Sequence, residues 1–350
     1  MLLAARYEKR VGDPAVVNSI WQQLRAAIQW IEQRLNNSRT NLLDYASAEP
    51  GGLVNQGWKD SADSIFHATG ELPRGPIAVV EVQGYVYAAF MAMAQLLLAR
   101  DEPDEAHRLT LRALAVKTAI EEKFWDANLN FYGLAIDGGG RLCRVKASNA
   151  GHLLFCGVPA PARARSVAAQ LLTGEFSSGW GIRTLGSDQT RYNPMSYHNG
   201  SVWPHDTAIC AAGIARYTDR SEVVQILSEV FEAAHYFGMR LPELYCGFAR
   251  TEGQSPIPYP VACLPQAWSA GAVFMLLQAC LGIEIDGARK EIHVRSPQLP
   301  MGIGSLIVDN LEVGGSETQL QFRRLADEVV VAPRQTRGNT IRVLVHMGGE

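Results

Sequence analysis

The apolar residues of this chain recur at two different spacings, and the change between them divides it. Up to about residue 281 they fall three and four apart, the period of helices with one buried face. From about Glu284 they come in short runs broken by Gly, Pro and Asn. Ile292-His293-Val294, Ser305-Leu306-Ile307-Val308, Gln319-Leu320-Gln321-Phe322, Val329-Val330-Val331 and Ile341-Arg342-Val343-Leu344-Val345 read as strands. Residues 1–10 read as the tail of a helix with no start signal of its own. Asp13-Pro14 opens a second helix, to about Arg34, with Ile20, Leu24, Ile28 and Ile31 on one face.

The stretch from Val79 to Arg100 is apolar nearly all round, so it must be enclosed on every side. A more amphipathic helix comes after Asp101-Glu102-Pro103 and ends near Trp125. The pattern then predicts a hairpin around 131–140, helices near 149–156, 161–173, 205–217 and 221–237, and a second enclosed helix from Pro265 to Leu281. Enclosed and amphipathic helices alternate, as a toroid of helical hairpins requires; periodicity alone leaves a bundle open. The expected fold is therefore all-α, with residues 1–283 as a helical toroid and 284–350 as a small C-terminal β segment.

Composition narrows the partners. The 350 residues are 47% hydrophobic and 19% charged with a net charge of -3, and no Lys/Arg block is present, so neither nucleic acid nor an anionic membrane has an electrostatic footprint. Six scattered cysteines without a C-x-x-C pair suit small core residues in a reducing compartment, here the cytoplasm. His152 and Cys156 lie one helical turn apart without a second pair, so no metal site is expected, and no organic cofactor. The opening residues Met1–Tyr7 lack the basic lead-in of a signal peptide.

The unusual residues gather between helices. Asn55-Gln56-Gly57-Trp58-Lys59-Asp60-Ser61 sets an aromatic face, amides and a carboxyl within a few positions, where a helix is expected to start. Trp can cover the C–H side of a pyranose, and a carboxyl can hand a proton to a glycosidic oxygen. Gln83 and Tyr85, Trp180 and Arg183, the run Tyr197-His198-Asn199-Gly200-Ser201-Val202-Trp203-Pro204-His205-Asp206, then Glu243 and Tyr245, and finally Gln266 and Trp268 repeat the mixture. Each has a plain structural explanation alone. Asp60, Ser61 or Asp206 can cap a helix, Glu81 can stabilise a helix N-terminus, His198 and His205 can be interior histidines, and Trp268 can be core. Those explanations would have to hold independently in every loop.

Taken together, the 55–61 stretch, Val80–Tyr87, Tyr197–Asp206, Leu241–Phe248 and Pro260–Trp268 resemble bacterial amylo-α-1,6-glucosidase (glycogen debranching enzyme-like) proteins over nearly the whole chain. The resemblance implies an (α/α)6 toroid of the glucoamylase-like clan that hydrolyses an α-glucosidic linkage with inversion. It implies Asp60 as general acid and Glu243 as general base. Trp58, Lys59, Gln83, Tyr85, Trp180, Arg183, Tyr197, His198, Asn199, Trp203, His205, Asp206, Tyr245, Gln266 and Trp268 are the expected substrate-binding residues. The acid needs a raised pKa, expected from burial of Asp60 against Trp58, and the base is expected to be held by Tyr245 or His198. Asp63, expected in a first helical turn, and Glu81 are rival acids.

One departure stands out: the pattern yields about nine helices where such a ring needs twelve. The expectation is a toroid incomplete at its N-terminus, with apolar flanks open to self-association or to a missing N-terminal portion. Two other readings stay open: a toroidal sugar isomerase or epimerase using His198 and His205, and a truncated carbohydrate-binding remnant.

Overall fold

Amphipathic stretches become helices throughout the computed structural model, which describes residues 1–38, 40–46, 52–218, 220–326 and 328–346. The chain begins with α1 (Leu2–Val11), α2 (Ala15–Ser19) and α3 (Trp21–Asn37), then reaches β1 (Ala78–Val79) and α4 (Val80–Leu98). After α5 (Pro103–Lys123) come four two-residue strands, β2 (Trp125–Asp126), β3 (Phe131–Tyr132), β4 (Ala135–Ile136) and β5 (Leu142–Cys143). The helices α6 (Asn149–Cys156), α7 (Pro161–Leu171), α8 (Pro204–Ile214), α9 (Ser221–Tyr236) and α10 (Ala267–Leu281) come next. The chain closes with β6 (Ile283–Asp286), β7 (Glu291–Arg295), β8 (Ser305–Val313), β9 (Ser316–Leu325), β10 (Glu328–Arg337) and β11 (Arg342–His346).

Packing sorts the helices into two layers. α1, α4, α6, α8 and α10 pack side by side in that order, while α3, α5, α7 and α9 pack against them from outside. The stripe Ala106, Leu109, Ala113, Val116 and Ile120 of α5 is buried, whereas Leu111 and Leu114 on the same helix are exposed. Small residues let the inner helices approach. A Cβ on Gly151 of α6 would lie 2.3 Å from Cys210 Sγ of α8. The arc does not close: among the described residues α1 and α10, at its two ends, share no comparable packing.

Four expectations need correction. The chain is mixed, 39% helix and 19% strand, rather than all-α. The helix expected from Pro14 to Arg34 breaks at Ile20, where Ser19 Oγ donates to Val16 O at 2.7 Å and takes the place of a continuing helical turn; Ile20 then points outward, 40% exposed. No helix starts after Asp60. The buried residues Ile65 and Phe66 are adjacent rather than a turn apart, and Gly70, Pro73, Gly75 and Pro76 break up the chain beyond them, so Asp63 sits in a turn. Finally α10 is not enclosed: Ser269, Ala272, Leu276 and Cys280 are buried, but Phe274 is 74% exposed.

The C-terminal strands form two three-stranded sheets, β10-β9-β8 and β11-β7-β6, with β11 parallel to β7 and the other pairs antiparallel. Alternation puts Ile292, Val294, Leu320 and Phe322 in one apolar cluster with Leu281 at the end of α10. Gly287 N donates to Lys9 O at 2.8 Å, and Lys9 pairs with Glu284, so this part is tied to α1. Among the described residues no helix is long and apolar enough to cross a membrane.

The α6–α8 contact is directly testable. Gly151→Ala should destabilise the fold by about 1–3 kcal/mol, because buried Cys210 cannot retreat without disturbing its neighbours. Denaturant unfolding with an unchanged m-value would measure it; a change below about 0.5 kcal/mol would contradict the close packing.

Candidate active site

The inner helices α4, α6, α8 and α10 begin at the same end of the arc, so their N-terminal turns and the loops before them converge there. Glu81 and Asp206 occupy the first turns of α4 and α8, Asn149 opens α6, and the Gln266 side chain accepts from Ala267 N at the start of α10. Free N–H groups and positive dipole ends favour negative and acceptor groups at such a place. Above them runs a ladder of extended segments, with bridges Arg183–Val202, Val202–Tyr245 and Tyr245–Pro258. The ladder is close-packed: a Cβ on Gly247 would meet Gly200 O at 1.7 Å.

An aromatic cluster lies across this end. His198, Trp203 and His205 meet the Trp58 ring edge-on at 5.6, 5.6 and 5.0 Å between centroids. His205 stacks on Trp268 at 4.0 Å, His198 lies nearly parallel to Trp203, and Tyr197 touches both His198 and Trp203. Tyr259, unremarked in the sequence, extends the cluster from Tyr197 at 5.5 Å. The two carboxyls reach it from opposite loops. Asp60 Oδ1 lies 3.9 Å from His198 Nδ1, while Glu243 Oε1 accepts from Tyr197 OH at 2.7 Å and Oε2 from Cys263 N at 3.2 Å. Burial pushes the Tyr197 hydroxyl above its ordinary pKa, helped by the hydrogen bond and charge of Glu243 and by the charge of Asp60. It therefore stays a donor.

Two expectations about these carboxyls fail on geometry. Asp60 is not buried against Trp58, for its side chain is 50% exposed. The groups that hold Glu243 are Tyr197 and a backbone N–H, not Tyr245 or His198. Tyr245 OH instead donates to Trp180 O at 2.6 Å. A cavity of about 220 Å³ lies between α9 and α10, and one of about 490 Å³ is lined by Arg6, Tyr87, Met91, Cys156 and Arg216, away from the carboxyls.

Beneath the aromatic rings is a buried polar layer. Lys59 points inward, with Nζ donating to Ser148 Oγ at 3.0 Å, Asn149 Oδ1 at 2.6 Å and Thr184 O at 2.6 Å; burial pushes its pKa down to about 8. His152, which the sequence marked only as a weak metal candidate, bridges Asp206 Oδ1 (2.7 Å) and Tyr85 OH (2.9 Å). Burial would raise the Asp206 carboxyl, but the hydrogen bond and charge of His152 and the Lys59 ammonium outweigh it and hold it below the usual range. Glu81 makes no well-formed hydrogen bond among the described residues, although its carboxyl lies against the Asn149 side chain, and burial raises its pKa. His152, Asp206 and Cys210 bring one donor atom each within 4.8 Å of one another; His152 Nε2 and Asp206 Oδ1 bond each other, Asp206 Oδ2 has no hydrogen-bond partner among the described residues, and Cys210 Sγ faces Ser148 O.

Several expected substrate contacts stand behind the cluster. The Gln83 amide is occupied by the backbone of Leu43 and Val79. Arg183 is 3% exposed and donates to Gly247 O, Gly174 O and Ser177 O. Trp180 is buried under Arg250, and Asn199 Nδ2 donates to Asp63 O at 3.1 Å. Trp58, Asp60, Tyr197, His205, Glu243 and Trp268 reach the open side; His198 and Trp203 are buried behind them, and Lys59, Tyr85 and Asp206 support the cluster from below. Nothing in the local sequence marked Tyr259, or gave His152 a place at the site, since each is a lone side chain brought in by tertiary packing.

Converging helix N-termini, an aromatic face and two carboxyls reaching it from separate loops are the equipment of a glycoside hydrolase. The chain belongs to the family described as the mannosylglycerate hydrolase MGH1-like glycoside hydrolase domain, which matches residues 2–241 and so ends two positions before Glu243. Among solved structures a sialidase aligns with 98% of this chain and 32% of its own, at 13% identity and a TM-score of 0.73. The GH78 family rhamnosidase of Bacillus sp. GL1 aligns with 99% of this chain and 32% of its own, at 17% identity and a TM-score of 0.69. The GH63 mannosylglycerate hydrolase from Thermus thermophilus, solved with glucose, covers 57% of this chain and 47% of its own at 20% identity and a TM-score of 0.46. The first two likenesses are of fold, and the chain spans about a third of their length. No curated protein matches.

The buried histidines give stability a definite pH dependence. Burial pushes His198 down to about 3 and His205 to about 4, from an ordinary 6.5. Between those values and 6.5 the unfolded chain binds protons that the native state refuses, so stability is lost as pH falls through that window. The double variant His198→Asn/His205→Asn should lose less melting temperature than the wild type between about pH 7 and about pH 4.5; an equal loss would place the acid sensitivity elsewhere.

Proposed function

We propose that the chain hydrolyses an α-glycosidic bond with inversion, Asp60 protonating the leaving oxygen and Glu243 activating the water. The observation that supports this most is the Tyr197 hydroxyl, which donates to Glu243 and also feels the charge of Asp60. The two carboxyls that act on it come from loops 183 residues apart in sequence, 243 minus 60. Inversion calls for such a pair, about 6.5–9.5 Å apart, with room for a water. Tyr197 OH and Cys263 N occupy one lone pair on each Glu243 oxygen, which leaves the others free for that water. Asp60 is open to solvent, and a pyranose packed on Trp58 would shut that water away from the carboxyl.

The leading substrate is an α-glucoside, with an α-1,6 branch of an α-glucan as the particular linkage that the motifs favour. The family description makes mannosylglycerate the obvious competitor. An isomerase or epimerase would need a histidine poised near neutral pH, and burial keeps His198 and His205 far below it. Hydrolysis is thus the better-supported chemistry.

A panel of α-1,6- and α-1,4-glucosides, mannosylglycerate and an α-rhamnoside, followed by NMR, tests the reading. Asp60→Asn and Glu243→Gln should each lower kcat by about 10³-fold with the fold intact, and the sugar released from an α-glucoside should appear first as the β-anomer. Release of the α-anomer, or wild-type turnover in Asp60→Asn, would overturn the assignment.

A further inference from the structure

Among the described residues no hydrogen bond, backbone or side-chain, joins the acid-bearing stretch 53–64 directly to the segment 240–264 that carries Glu243. Both instead bond to one tripeptide, the first stretch at His198 and Asn199 and the second at Tyr197. His198 Nδ1 receives Ser61 Oγ at 2.8 Å and faces Ser61 N at 3.4 Å, and Asn199 Nδ2 donates to Asp63 O at 3.1 Å. On the other side, Tyr197 OH holds Glu243.

The tripeptide is itself fixed. Trp203 Nε1 and Ser201 Oγ donate to Tyr197 O at 2.8 and 2.7 Å, and Asn193 N donates to Asn199 O at 2.8 Å. The His198 ring is clamped parallel to Trp203, 5.1 Å away, with the Trp58 ring edge-on. Next along the chain, Val202 is bridged to Tyr245, two residues beyond Glu243.

We propose that Tyr197-His198-Asn199 is a yoke that sets the separation of the two carboxyls, with His198 as a positioning residue for the acid's turn and Tyr197 for the base. The inference rests on the hydrolytic reading for its consequence in rate but not for its geometry. His198 works as a neutral acceptor: Nδ1 takes the Ser61 donors, which leaves the ring proton on Nε2. It touches no reacting atom, and its contribution is to hold a turn that has no helix to hold it. A shift of about 1 Å in such a turn can cost about 10²-fold in rate without weakening substrate binding.

Two measurements test this separately from the hydrolytic reading. In crystal structures of the unliganded chain the carboxyl separation should lie within about 6.5–9.5 Å, and in His198→Phe, which keeps the stacked ring but loses the acceptor, it should lengthen by about 1 Å or more. An unchanged separation in both His198→Phe and Tyr197→Phe overturns the yoke, whether or not any glycoside is turned over. On whichever glycoside the wild type hydrolyses, His198→Phe should lose about 10²-fold in kcat with KM within roughly threefold. His198→Asn, whose amide oxygen can take the place of Nδ1, should recover most of that loss. A matched rise in KM, or no recovery with Asn, would make His198 a substrate contact instead. Failure of the hydrolytic reading shows differently, as a wild type inert on every glycoside while the variant's carboxyl separation still changes.

Discussion

The site depends on how a stretch of coil is kept in place. Residues 53–64 have no helix or sheet of their own, so their position comes from side chains. Lys59 is the deepest anchor, its ammonium held by Ser148, Asn149 and Thr184 O at the start of α6 and the edge of the ladder. Asn55 closes the same stretch from within through Ser61 O and Ser64 Oγ. A buried ammonium is tolerated only where its donors are all met, and each such charge-assisted hydrogen bond contributes about 1.5–3 kcal/mol. The consequence is directional: with Lys59 turned inward and Trp58 packed against four rings, Asp60 is left to face out.

The helices supply the rigid frame behind that coil. Inner helices whose N-termini point the same way create a positive, donor-rich floor, and Asp206, Asn149 and Gln266 answer it. Glu81 answers it with a carboxyl that makes no well-formed hydrogen bond among the described residues, and burial outweighs the Asn149 side chain and the His152 charge and raises its pKa. This explains why a rival acid suggested by the sequence is a poor one: its carboxyl is sealed below the Trp58 layer, 2% exposed, where no leaving oxygen can reach it.

Much of the frame was legible in the sequence, and for one reason. Helices such as α5 and α9 announce themselves through apolar spacing, which is local, and the strands after Glu284 through alternation, also local. The arrangement was less legible where tertiary contacts decide. Ile20 looked like part of a buried face, yet Ser19 ends its helix; α10 looked enclosed, yet Phe274 faces out. In the site, the residue types that suit a sugar come together at one end because Trp, Tyr, His and carboxyls cluster in the loops. Their division of labour was not readable. Gln83, Arg183 and Asn199 have the chemistry of sugar ligands, but their hydrogen bonds are taken by backbone groups from other loops. Conversely His152 became a central bridge without any motif, because only the approach of α4, α6 and α8 brings it between Tyr85 and Asp206.

The central claim is that Asp60 and Glu243 address opposite faces of one sugar ring. The most direct measurement is a crystal structure of the chain with a thio-linked α-glucoside that cannot be cleaved. A pyranose should stack on the Trp58–Trp268 face, with an Asp60 oxygen within hydrogen-bond reach of the thioglycosidic sulfur and a water held by Glu243 on the other side of the anomeric carbon. A sugar bound away from residues 60 and 243, or both carboxyls on one face of the ring, would contradict that claim.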